Sequence, residues 1–251
     1  MCLIAVGWKA HPEYPLVLAA NRDEFHDRPT APAAFWDDAP DLLAGRDLRA
    51  GGTWLGVSRK GRVAAVTNVR EAAAPLPGAR SRGTLVRDAL LASAPAAEAA
   101  AAAHAAGEGC APFNLFLTDG KEFWAVTNRG ASPRALEPGV HVFSNGPLDA
   151  PWPKAERLRA GLRSRLERTP AVEELLELLC DRSLPAGEAP QSELERVLAP
   201  VFVVSSEYGT RSSTVLLVDA EGRVVFVECS FDPEGRPCGS RGVAFSFDRW
   251  A

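Results

Sequence analysis

The sequence predicts an α+β fold built from antiparallel sheets, and three observations support this class. Short apolar runs joined by tight turns recur near both ends of the chain, which is typical of antiparallel hairpins. The segments with helical character are grouped in the middle of the chain, whereas alternation of single strands and helices would indicate a parallel sheet. No internal repeat or linker-like composition interrupts the 251 residues. We therefore expect a single domain spanning residues 1–251.

The first half of the chain is expected to form two pairs of strands and then two helices. The stretch 27–43 between the strand pairs is rich in proline, alanine and aspartate, which favours a long loop. The second helix is almost pure alanine, the strongest helix former, and is bounded by Pro95 and Gly107. The predicted elements are strands at 1–8, 16–20, 54–58 and 63–69 and helices at 83–92 and 96–106.

The second half predicts a further hairpin, three helices and a closing group of strands. The helix at 153–167 carries apolar residues at helical spacing on one face. Arginines and Lys154 cover much of the rest, which favours a solvent-exposed basic surface; the alternative is a patch for an anionic ligand or membrane surface. The other predicted elements are strands at 113–118, 122–128, 140–144, 201–205, 214–219, 223–229 and 243–247 and helices at 171–180 and 192–198.

Composition excludes several classes of function. A net charge of −4 argues against a general nucleic-acid binder. No apolar run reaches about 18 residues, so we expect no integral membrane segment, and the N-terminus does not resemble a signal peptide. The five cysteines are odd in number and lack a C-x-x-C pair, which fits reduced thiols in a cytoplasmic protein. A small-molecule ligand or substrate is therefore the expected partner, and the sequence leaves the oligomeric state open.

Motifs for common cofactors are also missing from the sequence. It contains no P-loop, no dinucleotide-binding glycine pattern and no G-x-S-x-G elbow. The four histidines show no metal-ligand spacing, so we expect no metal site and no required cofactor.

Cys2 is the residue that points most directly to chemistry. It follows Met1 and is small enough for an aminopeptidase to remove the methionine. The mature chain would then carry a thiol and a free α-amine, with a pKa of about 8, on one residue. A nucleophile with its own base is the arrangement used by N-terminal-nucleophile hydrolases. The alternative is a small buried residue in the first strand.

A polar cluster ends the second predicted strand. The strands at 1–8 and 16–20 should pair as neighbours, which places this cluster near Cys2. Asp23 would then accept a hydrogen bond from the α-amine and position it as a base, and Arg22 would hold a substrate carboxylate. The alternative is an ordinary charged turn. The cluster consists of Asn21, Arg22, Asp23 and Glu24.

Ordered motifs along nearly the whole chain resemble the NRDE family, also called the transport and Golgi organisation family. The resemblance implies a relative of the N-terminal-nucleophile hydrolases, whose fold is a four-layer αββα sandwich of two antiparallel sheets. The matching motifs are Met1-Cys2-Leu3, Asn21-Arg22-Asp23-Glu24-Phe25, Ala50-Gly51-Gly52-Thr53-Trp54-Leu55-Gly56, Thr67-Asn68-Val69-Arg70, Ser81-Arg82-Gly83, Phe113-Asn114-Leu115, Ser144-Asn145-Gly146 and Tyr208-Gly209-Thr210-Arg211-Ser212.

Within that superfamily, the chain is similar to the bile-salt hydrolase and penicillin V acylase group. That group begins with Met-Cys and has an Arg-Asn-x-Asp motif near residue twenty, in which Asn21 and Asp23 match and Ala20 replaces the arginine. The resemblance also implies that Asn145 lies in an oxyanion loop and that Asn68 is a second oxyanion contributor. The replaced arginine argues against bile-salt or penicillin specificity.

These features predict an N-terminal cysteine hydrolase that acts on an amide or ester bond of a small acyl substrate after Met1 is removed. The predicted catalytic residues are Cys2, Asp23, Asn68 and Asn145, and the predicted substrate-binding residues are Asn21, Arg22, Glu24 and Arg211. The alternative implied by the family is a non-catalytic protein that binds or traffics haem or a lipid such as acyl-CoA. Haem would then be a ligand, with His26 or Cys2 on the iron.

Overall fold

The computed structural model describes residues 2–70, 78–130, 132–148, 150–184, 192–248 and 250, and shows an α+β fold with two antiparallel sheets. This confirms the predicted fold class. The strands are β1 (Cys2–Trp8), β2 (Leu16–Phe25), β3 (Thr30–Trp36), β4 (Ala39–Asp47), β5 (Leu55–Ser58), β6 (Arg62–Asn68), β7 (Phe113–Thr118), β8 (Phe123–Thr127), β9 (Arg134–Ala135), β10 (Gly139–Phe143), β11 (Tyr208–Val218), β12 (Arg223–Phe231) and β13 (Pro237–Ser246). The helices are α1 (Arg82–Leu91), α2 (Ala96–Gly107), α3 (Pro153–Arg165), α4 (Val172–Leu179) and α5 (Glu193–Leu198).

The chain divides into two compact units, and each is built from three separate segments. The first unit contains Met1–Asp27, Pro138–Ser144 and Asp149–Ala244. The second contains Arg28–Glu137, Asn145–Leu148 and Phe245–Ala251. The single domain expected for residues 1–251 stays a prediction, and it requires that the two units fold together.

The first unit is a six-stranded sheet with helices packed on one face. Its strand order is β10-β1-β2-β11-β12-β13. The sheet contributes Leu3, Ala5, Val17 and Val215 to an apolar core shared with leucines of α3 and α4. Because side chains alternate along a strand, only every second residue of β1 and β2 reaches this helix-covered face.

The second unit is a seven-stranded sheet that also carries helices on one face. Its strand order is β3-β4-β5-β6-β7-β8-β9. The core between this sheet and α1 and α2 contains Leu42, Val66, Leu85, Leu90 and Leu115. Side chains satisfy backbone N–H groups at the starts of both helices: the Ser81 hydroxyl accepts a hydrogen bond from the Gly83 N–H at the start of α1, and an Asp119 carboxylate oxygen accepts one from the Ala96 N–H at the start of α2.

Two predicted elements are wrong. The stretch 27–43 is not a loop, because it contains β3 and the first part of β4. Pro32 is tolerated within β3 since this is the edge strand of its sheet, where a missing N–H costs no ladder hydrogen bond. The predicted strand at 201–205 is irregular. Its Val203 N–H donates to the side-chain hydroxyl of Thr210 on β11 rather than to a backbone carbonyl oxygen.

Lys154 corrects the prediction of a solvent-exposed basic face on α3. Its side chain is buried with only 3% exposure, and its Nζ donates a hydrogen bond of 3.0 Å to the Leu198 carbonyl oxygen. The arginines of the helix that remain at the surface include Arg157 and Arg159, which pair with Asp181 and Glu156.

Candidate functional site

Cys2 lies in a row of side chains that crosses the middle of the first sheet. Cys2 is directly opposite Arg22 on β2, and Arg22 is directly opposite Ser212 on β11. Directly paired residues of antiparallel strands project to the same face of the sheet. All three are buried, with exposures of 7%, 5% and 6% in that order. The structure therefore confirms that β1 and β2 pair, and it shows that Arg22 is the cluster residue directly opposite Cys2.

Asn21 projects to the opposite, helix-covered face and anchors the chain that follows α4. Its Nδ2 donates to the carbonyl oxygens of Leu179 at 2.8 Å and Val201 at 2.9 Å. Its Oδ1 accepts a 2.6 Å hydrogen bond from the Ser213 hydroxyl. Because Asn21 is fully buried and these bonds use both ends of its amide, the contacts describe a structural anchor. Its predicted role in substrate binding stays a prediction.

Asp23 lies on the same face as Asn21 and is held by Thr210. The Thr210 hydroxyl donates to Asp23 Oδ1 at 2.7 Å and accepts from the Val203 N–H at 2.9 Å. The carboxylate is 1% exposed. The side chains of Asp23 and Cys2 therefore project from opposite faces, but the backbone nitrogen of Cys2 lies in the plane of the sheet between them.

Burial dominates the electrostatics of these two groups. It raises the pKa of the Cys2 thiol above its ordinary value, and the negative charges of Asp23 and Glu24 add to this effect while Arg22 opposes it. Burial also raises the pKa of the Asp23 carboxyl, against the opposing effects of Lys154, the Thr210 hydrogen bond and Arg22. A thiol with a raised pKa needs a base nearby before it can act as a nucleophile.

Arg211 occupies a β-bulge and is turned away from the row that contains Cys2. Thr210 pairs with Asp23 and Ser212 pairs with Arg22, so the pairing register shifts across Arg211. Its Nη1 donates to the carbonyl oxygens of Phe25 at 2.9 Å and His26 at 3.2 Å. These contacts hold the end of β2, and the predicted role of Arg211 in holding a substrate anion stays a prediction.

The residues at the end of β2 complete the predicted set in this unit. Glu24 is half-buried, and its Oε1 accepts a hydrogen bond from the Phe25 N–H at 2.9 Å. His26 Nε2 lies 3.0 Å from the Ser205 carbonyl oxygen. Since a carbonyl oxygen only accepts, Nε2 carries the proton, and iron ligation by this ring in its present position would use Nδ1. The polar cluster is part of β2 rather than a turn after it.

Asn68 and Asn145 belong to the second unit and contact each other there. Asn145 Nδ2 donates to the Asn68 carbonyl oxygen at 3.1 Å. The Asn145 carbonyl oxygen accepts from the Arg70 N–H at 2.8 Å, which fixes this loop beside the end of β6. Their predicted roles at an oxyanion stay predictions, and the hydrogen bond shows that the two residues act as one structural pair.

Sequence reasoning overlooked several residues of this region. Ser212, Thr210, Ser213 and Lys154 are all buried around the Cys2–Asp23 strands. Thr210 and Ser212 lie within the motif Tyr208–Ser212, from which only Arg211 was predicted to be a site residue. The motif could have indicated them, but the β-bulge that turns its residues to different faces of the sheet is not visible in the sequence.

Within the described residues, no cluster of three histidine, cysteine or acidic side chains could hold a metal ion. No helix in that part of the chain is long and apolar enough to cross a membrane. The five cysteines all lie in described segments and form no disulfide.

Comparisons with known proteins add a family and a fold. A family model described as Transport and Golgi organisation 2 matches residues 1–233. The Transport and Golgi organization protein 2 homolog of Bos taurus is 37% identical over 257 residues, which covers 92% of this chain and 93% of the bovine protein. The homolog of Homo sapiens is 34% identical over 258 residues, with the same coverage of the two chains.

Among solved structures, the C2A mutant of conjugated bile acid hydrolase from Clostridium perfringens matches with a TM-score of 0.52. The match covers 99% of this chain and 93% of the other at 8% sequence identity. A similarity at this identity is one of fold, and it agrees with the hydrolase-like fold expected from the sequence motifs.

Proposed function

We propose, on the premise that this chain belongs to the Transport and Golgi organisation 2 family, that it is an N-terminal cysteine hydrolase of small acyl substrates. The observation that carries the proposal is the pairing of Cys2 with Arg22 on the central strands of the first sheet. It gives a buried thiol a cationic neighbour on the same face. The fold shared with conjugated bile acid hydrolase supports the choice of an amide or ester bond as the target.

The reaction begins once Met1 has been removed and Cys2 carries the α-amine. The amine takes the thiol proton, and the sulfur attacks the acyl carbonyl carbon to form a carbon–sulfur bond. Collapse of the tetrahedral intermediate breaks the bond to the leaving amine or alcohol, which receives the proton from the α-ammonium group. Water then attacks the thioester, releases the acid and returns the proton to the thiol.

The raised pKa of the thiol explains why this mechanism depends on the amine. At neutral pH the buried thiol is protonated, so thiolate forms only when a neighbouring base such as the α-amine takes its proton. The nitrogen of Cys2 lies in the sheet plane, within the influence of Asp23 from the other face. We propose that Asp23 orients this amine.

Intact-mass spectrometry combined with an acylating probe tests the proposal. We expect the purified protein to lack Met1 and to gain one acyl group from 4-nitrophenyl valerate, followed by slow release. Cys2→Ala should abolish the adduct. Cys110→Ala is the matched control, because Cys110 is also a buried thiol whose pKa is raised by burial. A protein that retains Met1, or a Cys2→Ala variant with full turnover, would contradict the mechanism.

The second candidate function is binding of an anionic ligand without turnover. The guanidinium of Arg22 favours it, since it offers a cation to an anionic group on the same face of the sheet as Cys2. Haem, which carries carboxylates, is the ligand to test, with absorbance titration as the measurement. Because Nε2 of His26 is hydrogen-bonded to Ser205, this ring would bind iron through Nδ1, and a haem spectrum that is unchanged in His26→Gln would exclude it as the ligand. A Soret band that is lost in His26→Gln would instead establish this ring as the iron ligand.

A further inference from the structure

Ser212 carries a buried hydroxyl that has no hydrogen-bond partner among the described residues. The side chain is 6% exposed, and its Oγ is fully shielded. A buried polar atom without a partner costs about 1–3 kcal/mol relative to one that is satisfied. The neighbouring Ser213 shows the usual solution, because its hydroxyl donates to Asn21 at 2.6 Å. The hydroxyl of Ser212 therefore lacks a structural explanation in this form of the protein.

The bulge at Arg211 is what turns Ser212 toward the row of Cys2. In a regular strand, Thr210 and Ser212 would project to the same face, because side chains alternate with a period of two. The register shift places Thr210 opposite Asp23 on the helix-covered face and Ser212 opposite Arg22 on the other. Bulges commonly re-aim a side chain next to an active site. The irregularity thus supplies the row with a hydroxyl that an unbroken strand would have placed elsewhere.

The surroundings of Ser212 indicate what kind of group its hydroxyl would bind. Arg22 is its direct neighbour on β2, and Ser230 is its direct neighbour on β12. The one buried acidic side chain described on β12, Glu228, pairs with Thr214 and is therefore only a diagonal neighbour. The nearest charge in the row is thus positive. A guanidinium and a hydroxyl side by side match the two oxygens of a carboxylate.

We propose that Ser212 is a specificity-determining residue, whose hydroxyl binds a carboxylate of the substrate together with Arg22. This inference rests on the proposed hydrolase function and adds a substrate class to it. Neighbouring strands are about 4.8 Å apart, so Arg22 and Ser212 lie about 5 and 10 Å along the row from Cys2. The substrate is therefore an acyl compound with a carboxylate a short aliphatic spacer away from the scissile carbonyl.

Access to Ser212 is along the row that begins at Cys2. The two side chains are covered to nearly the same extent and lie on one face of the sheet, with Arg22 on β2 between them. A substrate that extends from the thiol along this row therefore meets Arg22 first and the Ser212 hydroxyl next. A serine side chain turns readily among its three staggered rotamers, so its Oγ can rotate toward a bound oxygen.

Three activated esters test the inference on the mature protein. The first is 4-nitrophenyl valerate, which is neutral. The second, mono-4-nitrophenyl glutarate, places a carboxylate on the acyl side. The third, 3-carboxy-4-nitrophenyl valerate, places it on the leaving group. We expect mono-4-nitrophenyl glutarate to have a kcat/KM about tenfold above that of the neutral ester, since one charge-assisted hydrogen bond is worth about a factor of ten. The ester with the carboxylate on its leaving group should show no such gain, and a gain confined to it would contradict a carboxylate on the acyl side.

The variants separate a role in specificity from a structural role. Ser212→Ala should lose the preference for the charged ester through a higher KM, while kcat/KM for the neutral ester stays unchanged. Ser212→Thr keeps the hydroxyl and should retain much of the preference. Ser230→Ala, the next serine in the same row, is the matched control and should behave as the wild type. The melting temperature of Ser212→Ala should not fall, because the variant removes an unsatisfied hydroxyl.

A binding measurement keeps the inference testable if no ester is hydrolysed. Glutaramate and valeramide differ by the carboxylate and contain no activated bond. We expect millimolar glutaramate, but not valeramide, to raise the melting temperature of the wild type and not that of Ser212→Ala. Equal responses to both compounds, or an unchanged preference in Ser212→Ala, would overturn the inference. Absence of Cys2-dependent turnover together with carboxylate-dependent binding would overturn only the hydrolase proposal.

Discussion

Cys2 and Asp23 show how much depends on the face of the sheet to which a residue projects. The sequence places them close together, and the pairing of β1 with β2 confirms this neighbourhood. Their side chains nevertheless project from opposite faces, because Asp23 follows Arg22, the residue opposite Cys2, by one position. Asp23 can therefore act on the backbone amine of Cys2, whereas Arg22 is the residue that shares a face with its thiol.

Asp23 gives a prediction about stability and pH. Asp23→Asn keeps an oxygen for the Thr210 hydroxyl and removes a buried charge. The pKa of Asp23 is raised in the folded protein above the unfolded value of about 3.9, so the folded state binds its proton more tightly. The wild type therefore loses stability as pH rises between the two pKa values. We expect Asp23→Asn to be the more stable protein at pH 8.

Urea unfolding at several pH values checks this prediction. The advantage of Asp23→Asn should shrink as the pH falls below the unfolded pKa of about 3.9, where the wild-type carboxyl becomes protonated in both states. The same variant should lose acylation of Cys2, because it no longer offers a carboxylate to the amine. Lower stability of the variant at pH 8 would show that the charge of Asp23 stabilises the folded protein.

At the scale of elements, several family motifs turn out to be packing requirements. The loop that contains Gly52 lies against the start of α1, where the Thr53 N–H donates to the Gly83 carbonyl oxygen at 3.1 Å. A Cβ added at Gly52 would lie 2.4 Å from the Gly83 carbonyl carbon. Both partners are backbone, so neither can move aside cheaply. Gly52 of the motif at 50–56 is therefore required for a loop to pack against a helix.

Gly52→Ala should consequently destabilise the protein by about 2 kcal/mol, which is typical of an overpacked site. Gly109→Ala is the matched control. A Cβ at Gly109 would meet no heavy atom within 4 Å, so we expect a change within about 0.5 kcal/mol. The free energy of unfolding in urea measures both. A Gly52→Ala variant as stable as Gly109→Ala would mean that the loop and α1 separate easily.

The elements that the sequence predicted well are those with a strong local pattern. The alanine-rich helix and the hairpin around Asp119-Gly120 lie close to their predicted ranges, because composition and turn chemistry define them locally. The edge strand β3 was missed because Pro32 is acceptable only at an edge, and edge position is a property of the whole sheet. The run 201–205 has strand-like residues but no neighbouring ladder.

In the candidate site, too, the residues with local signals could be predicted and those that depend on the rest of the fold could not. Cys2 and Arg22 could be predicted as neighbours, since two short strands joined by a turn must pair. Ser212 could not be placed, because its face depends on the register shift across Arg211. The burial of Lys154 could not be predicted from the sequence either. It results from contact with the end of α5, more than forty residues away in the chain, where Nζ reaches the Leu198 carbonyl oxygen.

At the scale of the whole molecule, the chain passes repeatedly between its two compact units. It crosses after residues 27, 137, 144, 148 and 244. The first sheet therefore needs β10, which arrives only after the second sheet has received all of its strands. Neither unit is one continuous segment of the chain, because each also contains residues from later in the sequence. This interleaving is the physical basis for proposing that residues 1–251 behave as one domain.

We therefore expect the two units to unfold in a single transition, and the chain provides a thiol to report on each. Cys2 lies in the first unit and Cys110 in the second, and both are buried. Alkylation by iodoacetamide across a urea series, followed by peptide mass spectrometry, gives a midpoint for each thiol. The midpoints should coincide, as two-state unfolding requires. Gly52→Ala, although it lies in the second unit, should lower both midpoints equally. A shift confined to Cys110 would instead show that the molecule consists of two independently unfolding domains.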